Sequence, residues 1–382
     1  MNDNISTPRK RPRRVDEDAT PRQPLVAPGD SISNASSVSS SSVSQRSARS
    51  ATKQFGALEL SQAPNLEFAL FNDQDPAVEL ALPASLQATR NQLFRFSISQ
   101  SVVPEPHKEE IKAIIRGPEA YTITDAIFYA EATEAQRVGP VHPVDDFRQV
   151  VHATHKCMRK RASEAIWNAE VHGEVLRLAL RHKRNSMQGG LVNYAVATSA
   201  TVHRSLLKGG GAKMIDYAIF IDTENDAPPE STLKQHIQGL RKRSRTGSVN
   251  ATDYDFLLDN PIALSIESKR SEGFEAATLQ IGTWHAAHWT FLERVVHDSS
   301  DLDALGFLPG LIVQGAEWYF VASTRQDDKT ILWTRQSIGS TQYLLGTYRV
   351  VRALQYLAWW SAEVYWPWFC DHVLAMPSVD DG

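Results

Sequence analysis

Pro261-Ile262-Ala263-Leu264-Ser265-Ile266-Glu267-Ser268-Lys269-Arg270 is an apolar run that ends in a carboxylate and an ammonium two residues apart. Its Ile and Leu content and the proline at its head predict a strand over Ile262–Lys269. Alternate side chains of a strand point to opposite faces, so Glu267 and Lys269 share one face and Ser268 turns to the other. A strand this apolar has no reason to carry both charges on one face unless something uses them. Upstream, Met214-Ile215-Asp216-Tyr217-Ala218-Ile219-Phe220 sets Asp216 in a second apolar strand, expected over Lys213 to Ile221. Two carboxylates and a lysine meeting this way suit phosphodiester hydrolysis. The carboxylates offer oxygen ligands to Mg2+ or Mn2+, and the ammonium orients water or offsets developing charge. Taken alone, Glu-x-Lys at a strand end is more often a solvated edge.

Wider context decides between these readings. Glu164-Ala165-Ile166-Trp167-Asn168-Ala169-Glu170-Val171-His172 precedes the two strands, and Leu279-Gln280 with Trp284 and Trp289 follows them. Then come Phe307-Leu308-Pro309-Gly310-Leu311-Ile312-Val313-Gln314-Gly315 and Tyr365-Trp366-Pro367-Trp368-Phe369. In this order, from about residue 60 to about 370, the chain resembles the fungal PD-(D/E)XK nuclease-like domain family. The resemblance implies an α/β fold, a restriction-endonuclease-like αβββαβ core with added helices, and a metal-dependent nuclease. Asp216 and Glu267 would hold Mg2+ (or Mn2+), with Lys269 acting on the attacking water. A helix glutamine followed four residues later by an aromatic lies beside the metal in one branch of the superfamily, and Gln280 with Trp284 look like that pair. Ile215 stands where many relatives have proline.

Helical geometry sorts the glutamates of the first helix. Glu164, Asn168 and His172 rise at i, i+4, i+8 as one polar stripe beside Val171, Val175 and Leu176, so they are expected to face inward. Glu170, Glu174, Arg177 and Arg181 gather on another side, with opposite charges at i, i+3, and read as the solvated face. Glu164 is therefore the expected supporting catalytic residue; a pair with Arg161 is its alternative role. Gln280, Trp284 and His288 form a similar row, while Trp289 reads as core.

Composition bounds the rest. At 382 residues, 42% hydrophobic and with nine Trp, the chain can bury one sizeable core. Its two cysteines argue against a disulfide framework, and no apolar run is long enough to span a membrane. The polar N-terminus is not a secretory signal, so an intracellular protein is expected. His152, His155 and Cys157 lack a fourth partner for zinc, and neither phosphate-binding glycine loops nor a Gly-x-Ser-x-Gly elbow occurs.

Three divisions are expected: a disordered Ser/Arg-rich tail over 1–55, a helical lead-in over 56–145 packed on the core, and the nuclease-like domain over 146–372. The tail contains Arg9-Lys10-Arg11-Pro12-Arg13-Arg14, a compact basic cluster of the kind nuclear import receptors read, followed by Asp16-Glu17-Asp18. A nuclear location and an import receptor as partner are expected from it; a solvated basic arm is the alternative. Residues 1–50 carry eight Lys/Arg and five Asp/Glu, a net of +3, which leaves −7 for the rest of a chain whose total is −4. Nucleic-acid affinity must then come from local charge. Arg241, Lys242, Arg243 and Arg245, in a charged loop expected over Asp222–Asp253, are the candidates; an exposed flexible insertion is the equal alternative.

Other expected elements are helices over Ser85–Phe96, His107–Ile115, Thr122–Ala132, within Asp145–Arg184, over Phe274–Val296 and over Gln342–Trp360. A strand is expected over Tyr194–His203, and a hairpin pairs Leu308–Gln314 with Trp318–Ser323. Pro367 is expected to stop regular structure in the last aromatic cluster. Two functions compete: a nuclease acting on phosphodiesters, of DNA first, or a catalytically silent nuclease-fold protein that binds nucleic acid or a protein partner. An accessory factor of a fungal gene cluster or selfish element is a further alternative.

Overall fold

The computed structural model describes residues 65–71, 82–130, 139–183, 186–206, 214–226, 232–270, 273–326 and 329–375. The tail, with Arg9, Lys10, Arg11, Arg13 and Arg14, lies outside them. The strands are β1 (Asn65–Leu70), β2 (Val103–Pro104), β3 (Phe128–Tyr129), β4 (Val192–Val196), β5 (Tyr217–Ile221), β6 (Ile262–Lys269), β7 (Leu308–Gln314), β8 (Glu317–Gln326) and β9 (Lys329–Ser340). The helices that matter below are α1 (Ala84–Ser97), α2 (Lys108–Ile114), α3 (Val144–Lys160), α4 (Glu164–Trp167, a π turn Asn168–His172, then Gly173–Leu180) and α5 (Leu233–Arg243). They continue with α6 (Phe274–Val295), α7 (Asp301–Leu305) and α8 (Leu344–Trp360).

Seven strands form one mixed sheet in the order β1-β9-β8-β7-β6-β5-β4. β4, β5 and β6 pair antiparallel, while β6 and β7 run parallel. A parallel pair needs a long crossover, and α6 with α7 supplies it. The succession α4, β4, β5, β6, α6, β7 is the αβββαβ order expected from the sequence, and the fold is mixed α/β with a large central sheet. β6 sits between β5 and β7 and is buried almost throughout, which explains its unbroken apolar run. α6 covers the face that carries Ser265 and Glu267: Ser265 meets His285, and Ala277 and Ile281 pack with Leu66, Ile312, Val321 and Leu332. Gly282 lets β1 come this close, because a Cβ there would stand 2.9 Å from Leu66. α4 and α8 cover the other face, with α8 packed against α4 and β9.

Several expectations are corrected. The lead-in is not only helical, since β1 joins the main sheet beside β9, pairing Asn65 with Lys329. β9 itself was not expected. Thr122–Ala132 is not a helix where it is described: short 3-10 turns and β3 occupy the stretch. The strand expected over Tyr194–His203 stops at Val196, leaving Thr201 and Val202 in isolated bridges. The charged loop between the site strands contains α5, whose Leu233, Ile237 and Leu240 are buried at helical spacing. Pro367 does not stop the last helix. π turns at Ser361–Tyr365 and Cys370–Leu374 flank Trp366–Phe369, and Pro367 sits at the start of that segment. The helical backbone runs on through it, with Tyr365 at φ −68 and ψ −46, and the π turn before it, in which Trp366 N–H bonds the Ser361 carbonyl, shifts the hydrogen-bond ladder where Pro367 has no N–H to give.

Candidate active site

Asp216 stands just before β5, where its N–H still bonds Ile266 and its carbonyl accepts from Ala197. The ladder ends there, so Ser268 N–H on β6 has no strand partner and turns to the Asp216 side chain. It donates to Asp216 Oδ2 at 2.7 Å, and Ser268 Oγ lies 2.9 Å from the same oxygen. Ser268 faces away from Glu267 and Lys269 as expected, yet it belongs to the site because it braces Asp216 from behind.

On the α6 face, Glu267 is fully buried. Lys269 Nζ donates to Glu267 Oε1 at 2.5 Å and to the Ser268 carbonyl at 2.9 Å. Glu267 Oε2 is buried without a hydrogen-bond partner. Glu164 Oε2 lies 3.8 Å from Lys269 Nζ, so Lys269 rather than Arg161 is its charged partner. Gln280 reaches over from α6 and donates Nε2 to the Met214 carbonyl at 2.8 Å, bonding the chain that enters β5 rather than β6.

Glu164, Asn168, Asp216, Glu267, Lys269 and Gln280 all line one cavity of about 660 Å³ at this end of the sheet. All five residues expected to carry catalysis thus open onto one space. The electrostatics of the cavity are strained toward protonation. Burial pushes the Glu267 carboxyl up to about 8; Asp216 adds to this, while Lys269 partly offsets it. Burial also raises Glu164, against the pull of Lys269. For Lys269 burial opposes the charge, but Glu267 and Glu164 together outweigh it and raise its pKa. Among the described residues no three His, Cys, Asp or Glu side chains form a ready metal centre.

Behind this wall α4 supplies a relay. Asn168 Oδ1 lies 2.8 Å from Ser268 Oγ and 2.8 Å from His172 Nδ1, and Asn168 Nδ2 lies 3.4 Å from Asp216 Oδ1. His172 is buried, with Nε2 2.8 Å from the Gly315 carbonyl, and burial lowers its pKa to about 4. Tyr217 Oη donates to the Asn168 carbonyl at 2.6 Å. The inward stripe Glu164, Asn168, His172 is therefore present, and the exposed Glu170 lies off it. The rest of the expected solvated face is corrected. Arg177 is buried and pairs with Glu174 and Asp146, and Arg181 bonds Asn193 and the Tyr194 carbonyl. The π turn at Asn168–His172 inserts a residue into the helical repeat and rotates everything beyond it.

Asn168 and Ser268 were not assigned site roles from the sequence; the available signal was the polar Asn168 one turn above Glu164. On α6 only Gln280 of its row lines the cavity. Trp284 and His288 are core residues, each with a buried ring nitrogen lacking a hydrogen-bond partner. The basic candidates lie elsewhere. Arg241 pairs with Asp259 at 2.8 Å, and Arg243 donates to the Val373 carbonyl. Arg243 and Arg245 line a separate cavity of about 300 Å³ together with Arg294, and Lys242 is exposed.

No helix among the described residues is long and apolar enough to cross a membrane. No curated protein and no solved structure matches the chain. A family model described as PD-(D/E)XK nuclease superfamily matches residues 117–366, from the segment before α3 to the start of the last aromatic cluster. That span holds every residue of the cavity wall and well over half of the sequence, so the chain belongs to the PD-(D/E)XK nuclease superfamily.

Proposed function

We propose that this protein is a divalent-metal-dependent nuclease that hydrolyses phosphodiester bonds of DNA. The observation that carries the reading is the fully buried Glu267 oxygen without a partner, in a cavity also lined by Asp216, Lys269 and Glu164. A buried carboxylate oxygen left bare is costly, and a hard cation is the partner that such an oxygen suits. Asp216 and Glu267 would hold Mg2+ or Mn2+, which when bound lowers the pKa of water and offsets charge on the phosphate.

The chain's own residues do the rest. Ser268 fixes Asp216 Oδ2, so Oδ1, 3.4 Å from the Asn168 amide, is the oxygen left for the cation. Lys269 holds Glu267 Oε1 and keeps its positive charge at the cavity wall, where it can orient the attacking water and offset charge developing on the phosphate. Glu164, beside Lys269, tunes that charge. Gln280 ties α6 to the Met214 carbonyl and so steadies the approach to Asp216. Lys242, Arg243 and Arg245 would meet the nucleic-acid backbone.

The test is a cleavage assay on single-stranded, duplex, branched and RNA substrates with Mg2+ or Mn2+, alongside Asp216→Ala. Metal-dependent cutting of DNA that is lost in the variant is expected. No cutting of any substrate, with nucleic acid still bound, would instead support a silent binding protein. We also propose nuclear import through Arg9, Lys10, Arg11, Arg13 and Arg14. Replacing the five by Ala should move a fluorescent fusion from nucleus to cytoplasm, and unchanged nuclear accumulation would defeat this.

A further inference from the structure

His172 determines which end of the Asn168 amide faces the cavity. Its Nε2 lies 2.8 Å from the Gly315 carbonyl, and a carbonyl oxygen only accepts, so Nε2 carries the hydrogen. Gly315 is fixed in place: it turns the β7–β8 hairpin at φ +58, and a Cβ there would stand 2.5 Å from the Arg270 carbonyl. The ring is enclosed by Trp167, stacked at 5.7 Å, and the edge of Trp318, also at 5.7 Å, and neither of its hydrogen-bond partners is a carboxylate. A ring so enclosed is neutral, and its Nδ1 presents a lone pair.

The Asn168 amide atom 2.8 Å from that lone pair must therefore be the N–H end. With Nδ2 there, every hydrogen of the relay finds an acceptor. Nδ2 donates one hydrogen to His172 Nδ1 and the other to Ser268 Oγ at 2.8 Å, and Ser268 Oγ passes its own to Asp216 Oδ2 at 2.9 Å. The opposite orientation sets two lone pairs against each other at His172 and offers in return only a long hydrogen bond to Asp216.

The amide oxygen then takes the remaining place, 3.4 Å from Asp216 Oδ1 and on the cavity wall. Two oxygens at that distance with no hydrogen between them repel one another. Neighbouring ligands of one hard cation, each about 2.0–2.6 Å from it, stand roughly 3–3.5 Å apart. Glu267, whose Oε2 is fully buried and unpartnered, lines the same cavity. We propose that Asn168 supplies a neutral oxygen ligand to the cation held by Asp216 and Glu267, oriented for that role by the Gly315–His172 relay; this rests on the metal-dependent reading above.

Two measurements test it. In metal-free protein, the 15N signals of His172 should show hydrogen on Nε2 and none on Nδ1. Asn168→Asp puts an oxygen against Nδ1 whichever way it turns, so a proton should be held between the two, on the ring or on the new carboxyl, while the fold is kept. Mn2+ calorimetry should show Asn168→Asp binding at least as tightly as wild type, and Asn168→Leu weaker by about tenfold or more. A hydrogen on Nδ1 in the wild type overturns the proposal, and it is readable even if Asn168→Leu fails to fold. Wild-type Mn2+ affinity in Asn168→Leu, with affinity lost in Asp216→Ala, overturns it too and leaves the metal reading standing. If the wild type binds no Mn2+, both fall together.

Discussion

Ser268 places its backbone N–H 2.7 Å and its hydroxyl 2.9 Å from a single oxygen of Asp216, Oδ2, across the end of the β5–β6 ladder. The strand that carries Glu267 and Lys269 toward the cavity thus also holds the other carboxylate from behind. Although a long segment separates β5 from β6 in the chain, Asp216, Glu267 and Lys269 are fixed relative to one another by one short piece of β6. Alternation along a strand permits this: the odd positions face the cavity and the even one grips the neighbour.

Ser268→Ala should therefore loosen Asp216 without removing it. The backbone bond at 2.7 Å remains, but the hydroxyl's two buried hydrogen bonds, to Asp216 and to Asn168, are lost, so the fold should lose about 1–3 kcal/mol. Mn2+ affinity, measured by calorimetry, should fall several-fold yet stay far above that of Asp216→Ala. Equal affinity in wild type and Ser268→Ala would show that the hydroxyl does not position the carboxylate.

Glu267 makes the metal-free protein pH-sensitive. Burial lifts its pKa from an ordinary 4.5 to about 8. Below 4.5 both folded and unfolded chains hold the proton, and the stability linked to it is complete. Between 4.5 and 8 the unfolded chain releases a proton that the folded chain keeps, so stability falls as pH rises, then levels off above 8. Urea midpoints across this range in metal-free buffer should show the decline in wild type and a smaller one in Glu267→Gln. Identical profiles would contradict the buried-acid assignment. Since a cation competes with the same proton, Mn2+ affinity should climb with pH and level off near 8.

The basic residues divide by what already holds them. Arg241 is paired with the charged Asp259, whereas Arg243, which donates to the neutral Val373 carbonyl, and Arg245 open onto a cavity shared with Arg294. Changing Lys242, Arg243 and Arg245 to Ala should flatten the salt dependence of DNA binding by about one log-log unit for each phosphate no longer neutralised. Arg241→Ala should leave the slope alone and lower the melting temperature instead. A slope that responds to Arg241 but not to the other three would reverse this division.

The parts of the fold legible in the sequence are those dictated by local chemistry. β6 falls on its predicted bounds because a run of Ile, Leu and Ala buried on both faces has no other reading, and α6 differs from its prediction only at its final residue. β9 escaped because it carries polar residues at buried positions, Thr330, Thr334 and Gln336, which break the apolar alternation. β1 is short, and its partner lies more than 260 residues away, so nothing local marks it. The cavity residues Glu164, Asp216, Glu267, Lys269 and Gln280 were legible from strand and helix periodicity joined to the family pattern. Arg177 lies off the face that a constant turn per residue assigns it, because a π turn that no single residue announces intervenes. Ser268 was missed for a different reason: alternation tells which way a side chain points, not that a neighbouring strand ends beside it.

Lys269 gives the sharpest test of the chemistry. Its Nζ is shared between Glu267 and the Ser268 carbonyl, with Glu164 at 3.8 Å, so it is a fixed charge at the cavity wall rather than a free surface lysine. Above the pH range in which Glu267 titrates, Lys269→Ala should bind Mn2+ as well as wild type or slightly better, because a cation repelling the metal is gone. Nearer neutrality the same variant should bind less well, since losing Lys269 strengthens the hold of Glu267 on its proton. Cleavage should drop by roughly two to three orders of magnitude at any pH, the scale of losing one transition-state donor. Lys269→Arg should not restore it, because a planar guanidinium cannot replace a compact ammonium against a buried carboxylate. Glu170, exposed on α4 and turned away from the cavity, is the control, and Glu170→Ala should cut normally. If Lys269→Ala cuts as fast as wild type while Glu170→Ala is inactive, the assignment of the cavity wall to this face of β6 and α4 is wrong.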